Sequence, residues 1–162
     1  MTVRLRAHHL LCMLTYVGKG YSPAFVANYD AISARLSAGE EIELVAGPDD
    51  VCAPLLGDAH AHCRGESVIA RDEAARRAIA EEFAVSLETG ALMVPTAPLL
   101  ARLRQKFAAG TLRRACAGCE WTDLCDRVAA QGYPDVRIVL PEQGAGREEA
   151  RSACSPQLMT GL

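Results

Sequence analysis

Lysine is almost missing from this sequence: Lys19 and Lys106 are the only two in 162 residues. Neither stands two residues after a glutamate, so the Glu-x-Lys arrangement of the iron-staple nucleases has no counterpart here. A strong excess of one charge is missing as well. Seventeen basic and 20 acidic residues leave a formal net charge of -3, and a chain without a basic face has little with which to grip phosphates. Nucleic acid is therefore not an expected partner. Long apolar runs are missing too: Leu-Leu-Cys-Met-Leu-Thr-Tyr-Val, residues 10–17, falls far short of the roughly 20 residues that span a bilayer. Two histidines precede that run and no small-residue cleavage site follows, so it does not read as a secretory signal. Glycine fingerprints for nucleotides and the C-x3-C-x2-C run of radical enzymes are also absent.

What is present describes one soluble globular domain. Half of the residues are apolar and 23% are charged, a balance unlike that of disordered or membrane chains. The length is about one domain's worth, enough to bury a core. The expected location is cytoplasmic, where thiols stay reduced. Seven cysteines in such a compartment point to metal binding or catalysis rather than to disulfides, and an odd number agrees with that.

Periodicity predicts an α+β fold, a small single domain over residues 1–140 that is mainly helical with a few short strands, and a loosely held tail over 141–162. Val3 to Arg6 alternates as a half-buried strand does, and His8 to Val17 reads as helical. Ser22 is a natural N-cap with Pro23 at the first helical position, and Phe25, Tyr29, Ile32 and Leu36 follow at helical spacing towards Gly39. Ile42 and Leu44 alternate with glutamates as a second short strand. Residues 47–65 are irregular. A helix is expected from Ser67 to Phe83, another from Thr96 towards Gly110, and a further one on which Trp121, Leu124 and Val128 share a face. Val136 to Leu140 is expected to be a last strand.

The chemistry is concentrated in Cys-Ala-Gly-Cys-Glu-Trp-Thr-Asp-Leu-Cys, residues 116–125. Cys116 and Cys119 lie one turn apart if helical, or straddle a tight turn through Gly118, so both thiols can reach one metal. Thiolates select zinc, copper(I) or iron–sulfur clusters. Structural zinc sites usually show two C-x2-C pairs, or one pair followed by histidines. Here one pair is followed by the single Cys125. A C-x2-C-x5-C triplet with one distant cysteine is instead similar to several [4Fe-4S] sites, in which three ligands are local and one is remote.

Two further groups carry candidates. Cys52 and Cys63 bracket the irregular loop, and a shared metal would give that loop a reason to be ordered. His60 and His62 beside Cys63 read as solvated, and Asp49 and Asp50 as turn caps rather than ligands. Near the start, a helix would bring His8 and His9 to the same side as Cys12, and an imidazole beside a thiol can make it reactive or metal-ready. On the residues alone a plainer reading is favoured, in which the histidines mark a junction and Cys12 fills the core.

Taken in order, Arg-Leu-Arg-Ala-His-His-Leu-Leu-Cys, then VGKGYSPAFVANYDAI, GPDDVC, the His62-Cys63 pair with its ESVIARD run, and CAGCEW-x3-C resemble the bacterial domain-of-unknown-function family 1284. The resemblance covers about residues 3–130. It implies a cysteine-ligated iron–sulfur cluster and no particular substrate. Two departures stand out: Ala7 occupies the place of the family's usual proline, and no second thiol follows Cys52 in the loop. The expected ligands of a [4Fe-4S] cluster are then Cys116, Cys119 and Cys125, with the fourth from Cys63 or Cys52 and Cys12 third in line. Zinc is the alternative metal. The expected function is a redox or sensing module acting through a protein partner. The alternatives are an enzyme using His8, His9 and Cys12 beside the cluster, or a structural zinc protein.

Overall fold

The computed structural model describes residues 1–142; the tail beyond them, including Cys154, lies outside the described residues. Strand β1 (Val3–Leu5) buries Val3 and Leu5. It pairs in parallel with β2 (Ile42–Leu44), Val3 opposite Ile42 and Leu5 opposite Leu44. A third strand, β3 (Leu92–Met93), adds to β2 in the antiparallel sense. Sequence gave no sign of β3, because two residues carry no alternation to read.

Between β1 and β2 run two helices. α1 (His9–Thr15) is short, and its Leu10, Leu11, Met13 and Leu14 are each no more than 2% exposed. A helix apolar on all sides belongs in the interior, and α1 packs there against α4 (Ala97–Ala108) and α5 (Thr122–Ala130). α2 (Pro23–Ser37) begins where the Ser22 hydroxyl accepts a hydrogen bond from the Phe25 N–H at 3.1 Å. Its Phe25, Tyr29, Ile32 and Leu36 face the core. Burying a Leu or Phe side chain stabilises the fold by about 1.5–3 kcal/mol. Truncating Leu14 or Leu36, both fully buried, to alanine would cost about 2–5 kcal/mol.

α3 (Glu66–Phe83) lays Ala75, Ala78 and Ile79 on the core and packs against a 3-10 turn at Arg113–Cys116. α4 starts at Thr96, whose hydroxyl accepts from the Leu99 N–H at 3.3 Å. The strand expected at Val136 to Leu140 does not form. Its polar groups cross helices instead of lying beside a strand: Arg137 N–H donates to the Tyr16 carbonyl, Val139 N–H to the Ser37 hydroxyl, and Ile138 accepts from Arg104. Among the described residues no helix is long and apolar enough to cross a membrane.

Aromatic residues are few, eight in all. Six of them, Tyr16, Tyr21, Phe25, Tyr29, Phe107 and Trp121, line a single cavity. Four of the cysteines, Cys12, Cys116, Cys119 and Cys125, line the same cavity.

Candidate metal centre

The cysteine stretch is built from three local devices. The 3-10 turn ends at Cys116, and a β-turn then carries the chain to Cys119, whose N–H donates to the Cys116 carbonyl at 3.0 Å. Ala117 sits at φ -57 and ψ 125 and Gly118 at φ +70. This is a type II turn, whose third residue needs a positive φ, so Gly118 is the residue that lets two thiols share one side. α5 follows and places Cys125 a turn beyond Trp121. The Thr122 hydroxyl donates to the Cys116 carbonyl at 3.0 Å and ties the turn to the helix start.

Cys12, from the buried α1, joins Cys116, Cys119 and Cys125 in lining the cavity. Burial pushes the Cys12 thiol well above the usual thiol range, and the neighbouring Cys125, Cys116 and Cys119 push it further. Burial also raises Cys116, against the pull of the Arg113 guanidinium, and Cys125, against the Thr15 hydroxyl that donates to its Sγ at 3.1 Å. Thiols held above their ordinary range, as Cys12, Cys116 and Cys125 are, need a cation if they are to become thiolate ligands. Thiolate donors of this kind suit zinc, copper(I) and iron–sulfur clusters alike. The cavity measures about 120 Å³. Tetrahedral zinc would draw thiolates to about 3.8 Å from each other, given Zn–S bonds of about 2.3 Å. No three of these sulfurs lie within 4.8 Å of one another.

His8 and His9 line the same cavity, ring centroids 4.3 Å apart. Each is held from behind by a buried carboxylate. His8 Nδ1 lies 2.6 Å from Asp72, and His9 Nδ1 lies 2.6 Å from Asp49. Asp72 also accepts from Arg6 Nε at 2.8 Å and Nη2 at 2.7 Å, and Arg6 is fully buried. Burial would raise the Asp72 carboxyl, but its hydrogen bonds from His8 and Arg6 hold it at about 2. Burial, with the adjacent His9, pushes His8 down to about 4. The carboxylate that would favour its cation is already matched by Arg6.

The remaining thiols sit behind the histidines. Cys52 is buried, and its thiol is pushed up to about 12 by burial first and the Asp49 charge second. The ligand atoms of His9, Asp49 and Cys52 lie within 4.8 Å of one another, the one such group of three among the described residues. Asp49 already accepts on both oxygens, however. Its Oδ2 accepts from Arg6 N–H at 2.7 Å as well as from His9, and its Oδ1 from Cys52 N–H at 3.1 Å. The group therefore works as a network that orients His9. The Cys63 carbonyl accepts from Arg6 Nη1 at 2.7 Å.

Cys116, Cys119 and Cys125 thus gather as their spacing predicts, whereas Cys52 and Cys63 stand apart from them. Cys12, ranked last on sequence, is the thiol that joins the triplet. The reason is physical. α1 packs on α5, while the loop is tied to β1 through Asp49 and through Asp50, which accepts from Arg4 N–H at 2.8 Å. His60 and His62 are exposed, as expected. Arg6 and Asp72 are site residues that the pattern did not single out. Asp72 carried a signal, since it falls on the Ala75–Ile79 face of α3, where a charge needs a partner.

The profile of the family described as "Protein of unknown function (DUF1284)" matches residues 20–125, more than half of the chain. That span holds Cys52, Cys63, Cys116, Cys119 and Cys125, and begins after His8, His9 and Cys12. No curated protein and no solved structure matches the chain.

Proposed function

The chain belongs to the DUF1284 family, and we propose that it carries a [4Fe-4S] cluster on Cys12, Cys116, Cys119 and Cys125 and acts as a redox or sensing module through a protein partner. The observation that carries this reading is that Cys12, Cys116, Cys119 and Cys125 line one cavity, with no three of their sulfurs within 4.8 Å of one another. Such a cluster supplies one-electron chemistry when bound. The chain's own residues do the rest. Thr15 donates to the Cys125 sulfur, and Arg113, paired with Asp126 at 2.5 Å, faces Cys116. Arg71 lies on the cavity wall and favours the Cys12 thiolate. These donors offset the negative charge that four thiolates bring. Tyr21 packs edge-on against Trp121 at 5.4 Å and against Phe25 at 5.2 Å, an aromatic cover over part of the cavity.

Four thiolates fill the coordination of the cluster, which favours electron transfer or sensing over substrate binding at iron. Seven thiols also suit a reducing compartment. Anaerobic purification followed by iron, sulfide and zinc analysis tests the reading. Brown protein with about four irons and four sulfides per chain supports it. Colourless protein with one zinc overturns it.

A further inference from the structure

The histidine pair has a geometry that the cysteine centre does not use. A carboxylate only accepts hydrogen bonds, so a neutral imidazole held at Nδ1 carries its proton there and presents a bare lone pair at Nε2. His8 and His9 are both held at Nδ1, by different buried aspartates, and both line the cavity. Neither Nε2 has a hydrogen-bond partner among the described residues. An imidazole anchored to a carboxylate through its far nitrogen is also the usual support of a metal-binding histidine.

An independent observation lies beside the pair. The Tyr29 hydroxyl is buried, its residue only 4% exposed, and it lines the cavity with no hydrogen-bond partner. A buried hydroxyl without a partner costs about 1–3 kcal/mol, and so marks a place where a ligand or its bound water is missing.

We propose that His8 Nε2 and His9 Nε2 bind one divalent first-row transition-metal ion of the iron(II) or zinc class, with the Tyr29 hydroxyl completing its surroundings. Imidazole nitrogen suits those ions. The site does not rest on the cluster: its donors are separate, and it leaves coordination positions for a small molecule inside the same aromatic cover.

Cobalt(II) is the probe, added by equilibrium dialysis to the anaerobically purified protein and quantified by elemental analysis. One cobalt per chain, bound without loss of iron, is expected. His8→Asn and His9→Asn keep an N–H for Asp72 and Asp49 but remove Nε2, and each should weaken cobalt binding at least tenfold with the visible spectrum unchanged. Tyr29→Phe should weaken it less. No cobalt uptake by the wild-type protein, or equal affinity in both asparagine variants, overturns the proposal. If the purified protein holds neither iron nor sulfide, the cluster reading fails by that analysis alone. The same comparison, made in a Cys119→Ser background, then decides the histidine site.

Discussion

Among the described residues the thiols form two sets, and the fold treats them in opposite ways. Cys12, Cys116, Cys119 and Cys125 line a cavity with Thr15, Arg71 and Arg113 beside them, and burial holds the Cys12 and Cys116 thiols above their ordinary range. Cys52 and Cys63 face a network whose groups are already matched: Asp49 with three donors, Arg6 with Asp72 and the Cys63 carbonyl. Buried polar groups in stable proteins are satisfied from within. The matched set reads as framework, and under the proposed function the other set is the one that holds the ligand.

The sharpest way to break this contrast is by substitution. Cys12→Ser should strip the protein of its iron and sulfide, while Cys63→Ser should retain both at the wild-type level, as read by elemental analysis. The reverse outcome would make the loop thiols the ligands. On the framework side, Asp72→Ala leaves Arg6 charged and buried. Removing one partner of a buried pair costs about 3–5 kcal/mol, which a chemical denaturation curve would register, with iron binding lost only through unfolding.

A pH series separates the sets more gently. The Cys52 thiol, pushed up to about 12 by burial and then by Asp49, stays protonated at neutral pH. Its alkylation in the folded protein should rise with pH through 9 and 10 without levelling off, as followed by mass spectrometry. A plateau near 9 would mean an ordinary exposed thiol. The smallest effect is expected at Thr15→Val. Losing one hydrogen bond to Cys125 removes about 1 kcal/mol, which for a one-electron couple lowers the reduction potential by roughly 40 mV. Electrochemistry on the two proteins would measure it, and an unchanged potential would show that the hydroxyl does not act on the cluster.

Much of the fold was legible because its signals are local. Ser22-Pro23 and Thr96 announced α2 and α4 by capping chemistry, and alternation announced β1 and β2. The triplet was legible for the same reason, since Gly118 and a short helix bring its thiols together within ten residues. Cys12 was harder, because its place beside Cys125 depends on how α1 packs on α5, and spacing along a chain holds no distances. Arg6 read as the solvent side of an alternating strand. It is buried because α3 brings Asp72 over that face. Val136 to Leu140 had the composition of a strand but no strand to pair with.

The placement of Cys12 also sets a timetable for maturation. Cys12 and Cys116 are more than one hundred residues apart. At about 5–20 residues per second of synthesis, the α1 thiol waits several seconds before its partners exist. Under the proposed ligation, iron cannot be enclosed by four thiolates until the ribosome has made most of the chain. Cluster delivery then belongs after translation, to a nearly complete polypeptide whose α1 is already seated. A truncated chain that ends before Cys116 would present Cys12 with no companion from the triplet.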